Sequence, residues 1–152
     1  MMPGAVSKRV IADRLGWIES WVEHIQTLPL EDEDAFFADP RNAAAAESYL
    51  RRALEALLDL GRHILAKGFG RGVTEYKEIP RELLRRGILT HDEADLLEEM
   101  AGYRNRMVHF YHEVSSRELF EICSERLGDI QVVASGLKRW IREHPECVDE
   151  TL

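Results

Sequence analysis

Apolar side chains recur along this chain at steps of three and four, not two. Ile11, Leu15, Ile18, Val22 and Ile25 step 4-3-4-3 and lay one continuous stripe along a helix. Ser7 is a natural N-cap for it, and Pro29 stops it after Leu28. Trp17, Trp21 and Leu28 form a flanking stripe. A helix with two apolar stripes needs two partners, either two neighbouring helices or one neighbour and a second copy of the chain.

An acidic run, Glu31-Asp32-Glu33-Asp34, follows as a solvated linker, and Phe36 and Phe37 read as a short helical turn that plugs the core edge. Asp39 caps the second long helix, with Pro40 at its first position. Ala46, Leu50, Ala53, Leu57, Leu60 and Ile64 again step 4-3-4-3-4, and Gly61 in a parallel row permits close helix contact. The helix is predicted to end near Lys67. Gly68-Phe69-Gly70-Arg71-Gly72 comes after a helix, whereas the dinucleotide-binding glycine loop follows a strand and opens a helix. It reads as a C-terminal cap and a flexible connection.

A short helix over 80–86 stops at Gly87, and Thr90-His91-Asp92-Glu93 is a capping box opening the next long helix. Its core row is Leu96, Met100, Tyr103 and Met107, with Leu97, Ala101 and Val108 beside it. Ser115-Ser116-Arg117-Glu118 is a second capping box. One long helix is predicted from it to Pro145, along Leu119, Cys123, Ile130, Val133, Leu137 and Trp140, with Arg126 as the one charged interruption. The tail over 144–152 is acidic and expected to be loose. No segment alternates as a strand does, and there is no internal repeat. The expected architecture is all-α, a single domain with its core over about 7–143: an up-and-down bundle of four long helices and one or two short ones.

Composition narrows the class. The 152 residues, 45% hydrophobic and 32% charged, suit one globular domain with a self-sufficient core. No apolar run is long enough to span a bilayer, and the start lacks the apolar segment of a secretory signal, so no membrane role and a cytoplasmic location are expected. Cys123 and Cys147 lack metal-type spacing and read as thiols in a reducing compartment. The net charge of −8 argues against nucleic acid as a partner, but its distribution softens the argument. Residues 51–86 carry 9 basic and 5 acidic side chains, between segments in which acidic residues dominate.

The chemistry concentrates between Met100 and Tyr111. Arg104 falls on the row of Leu97, Ala101 and Val108, where an apolar residue is expected. A guanidinium there needs an acceptor or a place at the bundle's edge. Asn105 and His109 share one helix face, with Gly102 leaving that face open. Arg104 and His109 are about 140° apart around an ideal helix. They converge only if the helix frays at His109 or a second copy of the chain supplies half of the site. The same residues also fit a purely structural role: a histidine at a helix end, an inter-helix ion pair, and Tyr111 capping the core.

Arg104-Asn105-Arg106-Met107-Val108-His109-Phe110-Tyr111 resembles the R-x4-H-x-Y signature of HEPN-domain proteins, specifically the HepT-like ribonuclease toxins. Tyr76, Leu83-Leu84, Gly87-Ile88-Leu89, Glu93 to Leu97 and Met100-Ala101-Gly102-Tyr103 resemble the lead-in of that branch. The resemblance implies a dimerising all-α bundle whose motifs line a cleft, and a ribonuclease that needs no metal or other cofactor. It implies His109 as general base on a ribose 2′-hydroxyl, Arg104 as stabiliser of phosphoryl charge, and Asn105 as a support. It further implies an RNA substrate, tRNA among the candidates, and a type VII-like toxin–antitoxin module. There a minimal nucleotidyltransferase antitoxin would AMPylate Tyr111 and block the cleft. Arg106 departs from the family pattern, since its slot is often apolar or small, and would add phosphate affinity.

Arg51, Arg52, Arg62, Lys67, Arg81, Arg85 and Arg86 are further candidates for an RNA-contacting rim, or else belong to solvated helix faces paired with nearby Glu. His91, His109 and His112 lack acidic neighbours at ligand spacing, so no metal site is expected. The rival function is non-enzymatic: a helical dimer that binds a nucleotidyltransferase and is modified by it.

Overall fold

The structure is a computed structural model that describes residues 5–109 and 114–150. Its helices are α1 (Lys8–Gln26), α2 (Glu33–Ala38), α3 (Pro40–His63), α4 (Ile79–Arg85), α5 (His91–His109), α6 (Ser116–Glu125) and α7 (Leu127–Glu143). Four are long and three short. Among the described residues, no helix is long and apolar enough to cross a membrane.

The caps act where the sequence places them. The Ser7 hydroxyl accepts from the Val10 amide at 3.2 Å, and the Asp39 carboxylate accepts from the Arg41 amide at 3.0 Å. At α5 the box is reciprocal: the Glu93 amide donates to Thr90 Oγ1 at 3.2 Å, and the Thr90 amide to Glu93 Oε1 at 2.9 Å. At α6 only half of the box forms. Ser115 Oγ accepts from the Glu118 amide, while the Glu118 carboxylate goes to Arg106.

Helix α3 is the axis of the bundle. Leu50, Leu54, Leu57, Leu58 and Leu60 are all at most 1% exposed. Each such leucine contributes about 1.5–3 kcal/mol of transfer free energy. Helix α1 lies along α3 and buries Ile11, Ile18, Val22 and Ile25. Its flanking stripe finds only half a partner, since Trp21 stacks on Tyr49 while Trp17 remains 51% exposed. Gly61 lets α4 approach α3, because a Cβ there would stand 2.9 Å from Leu83 Cδ1.

Three expectations are corrected. The last long helix is two, broken at Arg126, whose φ of −118° and ψ of 5° leave the helical region. Its side chain is pulled sideways by Asp129 at 2.7 Å and by Glu99 of α5 at 3.0 Å, and Gly128 follows as a weak helix former. The acidic tail is held as far as Glu150: a 3-10 turn Pro145–Cys147 leads to Val148–Asp149, which pairs in parallel with Val6–Ser7. That two-residue ladder is also the strand pairing that alternation did not signal, being too short to alternate. The glycine loop behaves as read, but after a π-helical turn, Ile64–Gly68. Gly70, at φ 65°, lets its own amide and that of Arg71 cap the Ala66 and Leu65 carbonyls.

Candidate active site

The last two turns of α5 carry the candidate site, and packing fixes how Arg104 and Met107 face. Met107 is buried in the core. Arg104, one turn earlier, meets α3: its Nε donates to Glu55 Oε2 at 3.0 Å. This is the acceptor its place on an apolar row demands. Its NH1 donates to Asn105 Oδ1 at 3.2 Å, and its guanidinium carbon lies 4.6 Å from the centroid of the Tyr76 ring.

Tyr76 comes from the 3-10 turn Tyr76–Glu78 that precedes α4. Its hydroxyl donates to Asp59 Oδ1 at 2.7 Å, and the Arg62 guanidinium carbon stands 4.9 Å from its ring centroid. Burial first, and then the Asp59 bond, push the Tyr76 phenol up to about 12. The ring therefore stays neutral and serves as a surface for two cations. Glu55 and Asp59, one turn apart on α3, tie the two arginines back: Glu55 to Arg104, Asp59 to Arg62 at 2.5 Å. Neither acid nor the tyrosine was singled out as a site residue by sequence chemistry, because Glu55 meets Arg104, and Asp59 meets Tyr76, only through tertiary packing.

Between these elements lies a cleft of about 450 Å³ lined by Arg62, Thr74, Glu75, Tyr76, Lys77, Arg104, Asn105 and His109. His109 is the last residue of α5 and is exposed. Arg104 and His109 thus line one cleft within one chain, with His109 at the very end of its helix. Lining one volume asks less than meeting at one atom, and the long Arg104 side chain is drawn across by Glu55.

The other candidate residues fall elsewhere. Arg106 is committed to α6, with both its terminal nitrogens donating to the Glu118 carboxylate at 2.7 Å. That guanidinium holds the Glu118 carboxyl below the usual range. Its expected contribution to phosphate affinity in the cleft is therefore not supported by its position. Arg51 shares Glu55 with Arg104 at 3.3 Å, and Arg52 bonds Ser48 and lies over Trp21. Arg85 and Arg86 converge on Glu82, a carboxylate only 6% exposed, at 2.5 and 3.9 Å. Tyr111 and His112 lie outside the described residues. Among the described residues, His91, Asp92 and Asp95 bring ligand-type atoms within 4.8 Å of one another, all exposed at the start of α5. Cys123 is buried, which pushes its thiol up to about 12, and is an inert core residue.

A family model described as ribonuclease HepT-like matches residues 18–136. A tRNA nuclease HepT from Aphanizomenon flos-aquae is 27% identical over 112 residues, which cover 73% of this chain and 76% of the relative. Among solved structures, the tri-AMPylated HEPN toxin of Shewanella oneidensis, in complex with an MNT antitoxin, aligns with a TM-score of 0.77 at 22% identity, covering 86% of this chain and 97% of that one. The cytosolic protein YutE of Bacillus subtilis, of unknown function, aligns with a TM-score of 0.74 at 20% identity over 97% of this chain and 99% of its own. At such identities the structural likenesses establish the HEPN toxin fold, while the family match covers α2 to α6, the cleft and the whole Arg104–His109 motif. The chain belongs to the HepT-like ribonuclease family.

Proposed function

We propose that this protein is an endoribonuclease toxin that cleaves RNA by attack of a ribose 2′-hydroxyl on the adjacent phosphodiester, without a metal. The observation that carries the reading is that Arg104, Asn105 and His109 line one cleft, with Arg104 anchored by Glu55 at 3.0 Å. His109, exposed at the cleft's edge, takes the 2′-hydroxyl proton as general base. The oxygen then bonds to phosphorus, the P–O5′ bond breaks, and a 2′,3′-cyclic phosphate is left on one fragment. Arg104 offers N–H donors to the non-bridging oxygens as charge builds on them. Asn105, whose oxygen is held by Arg104, orients the phosphate or His109. A single histidine does not serve as base and acid in the same step, so water or the His109 of a second copy protonates the leaving oxygen. The exposed Trp17 stripe on α1 is the surface assigned to a homodimer.

The name of the curated relative supports tRNA as the substrate class, and the solved toxin–antitoxin complex supports a nucleotidyltransferase antitoxin as partner. Tyr111, two residues beyond His109 in the chain, is the acceptor assigned to AMPylation. The added phosphates would repel RNA from the cleft. The test is His109→Ala. Purified wild type is expected to cut RNA in the presence of a chelator and to arrest growth, and His109→Ala to do neither. Equal toxicity of the two, or cleavage that vanishes with the chelator, overturns the reading. Co-expression with an active nucleotidyltransferase is expected to add the mass of one or more AMP units at Tyr111.

A further inference from the structure

We infer that the cleft continues through Lys77 into a second groove, on the α4 side, which holds the sugar–phosphate backbone of the same RNA strand. The inference rests on the nuclease reading of the cleft and extends the substrate's path beyond the cut site. Lys77 lines both volumes. The second, of about 430 Å³, is bounded by Arg71, Lys77, Glu78, Arg81, Glu82, Arg85 and Glu98. Nothing in the groove's lining is aromatic, so it offers no surface on which a base would stack. In the first cleft, two guanidiniums already lie against Tyr76. What the groove does present is four cations among three carboxylates, and cations grip phosphates without reading sequence.

Their arrangement is built around one buried acid. Glu82 is 5% exposed, yet Arg71 at 3.5 Å, Arg85 at 2.5 Å and Arg86 at 3.9 Å all gather on it. Along the lining, Arg71, Lys77, Arg81 and Arg85 stand against Glu78, Glu82 and Glu98, so the groove carries one more cation than carboxylates, with Arg86 adding another beside Glu82. Glu82 also holds together groups that would otherwise repel one another. The outer ends remain available: the Arg85 side chain is 69% exposed and that of Arg81 73%. Among the described residues, Lys77 makes no ion pair. Most of this charge lies within residues 51–86, the basic stretch of a chain whose net charge is −8. An acidic molecule repels a polyanion over most of its surface and admits it where the sign reverses. The reversal here runs outward from the cleft.

The test measures binding of a labelled single-stranded RNA oligonucleotide to full-length chain carrying His109→Ala, by fluorescence anisotropy across a salt series. Lys77→Gln and Arg81→Gln are then added singly and together. Both positions are exposed, and among the described residues the only ion pair at either is that of Arg81 with Glu98. For every RNA phosphate that a variant no longer neutralises, the slope of log K against log salt should become shallower by about 0.7. Removing a repelling charge by Glu98→Gln should tighten binding. Lys138→Gln, on α7 and outside the groove, serves as the control for net charge. Unchanged slopes for the double variant, or an equal change from Lys138→Gln, overturn the inference. The two readings fail separately. If the wild type cuts RNA and the slopes are insensitive, the groove alone falls. If the slopes respond and the wild type cuts nothing, the nuclease reading alone falls.

Discussion

Glu93 clamps the start of the site-bearing helix to α7, and its charge should be measurable as stability. Its carboxylate accepts from the Thr90 amide at 2.9 Å and from Arg139 at 2.7 and 2.8 Å. The Arg139 bond, followed by the Thr90 bond against an opposing burial effect, lowers the carboxyl from 4.5 to about 2. A depression of that size corresponds to roughly 3 kcal/mol of folding free energy. The Glu93 side chain is 12% exposed but that of Arg139 is 34%, so solvent screening reduces the expected contribution to ~2 kcal/mol. Because the folded-state value is the lower one, this stability is fully present above about pH 4.5 and is lost as pH falls toward about 2. Glu93→Gln keeps an acceptor for Thr90 and removes only the charge. Urea unfolding at neutral pH should place the variant ~2 kcal/mol below wild type, with a melting temperature about 4–8 °C lower. The gap should close as the solution is acidified, since a protonated glutamic acid and a glutamine are then equivalent. A gap that stays constant from neutral pH down to the acid limit of cooperative unfolding would refute the reasoning.

Two further outcomes follow from the same geometry. Gly136→Ala should destabilise the fold by ~1–3 kcal/mol, because its Cβ would stand 2.8 Å from Glu93 Oε1 and Leu89 Cδ2, and thermal melting of the variant checks this. Glu55→Ala should lower kcat for RNA cleavage by about 10- to 100-fold with the fold retained by circular dichroism, since Arg104 loses the acceptor that aims it; wild-type kcat in a folded variant would show that Glu55 does not position Arg104.

Much of this was legible along the chain because it is local. A cap is a contact across three residues, so Ser7, Asp39 and Thr90 could be assigned their roles from spacing alone. The 3.6-residue period likewise separates buried faces from wet ones in α1 and α3, and in α5 as far as Met107, whereas Val108, expected on the apolar row, is 40% exposed. The motif Arg104–His109 is contiguous, and its mismatch with an apolar row already required an acceptor for Arg104. The break at Arg126 was harder to see, because the apolar rhythm continues through it. The local pull of Asp129 and the weak helix former Gly128 are joined there by Glu99, from another helix.

What the sequence by itself determined is the helical class, the capped helix starts at Ser7, Asp39, Thr90 and Ser115, the family motif and the need for a partner to Arg104. Tertiary structure decided which partner. Glu55 lies 49 residues from Arg104 and Asp59 lies 17 from Tyr76, separations over which no helical period carries information. It also decided that Arg104 and His109 face one cleft in a single chain, that Arg106 belongs to Glu118 instead, and that Val148–Asp149 returns to Val6–Ser7. Local patterns specify which face of each helix is buried. Which charged side chains then meet depends on how whole helices dock, and that is settled only when the core closes.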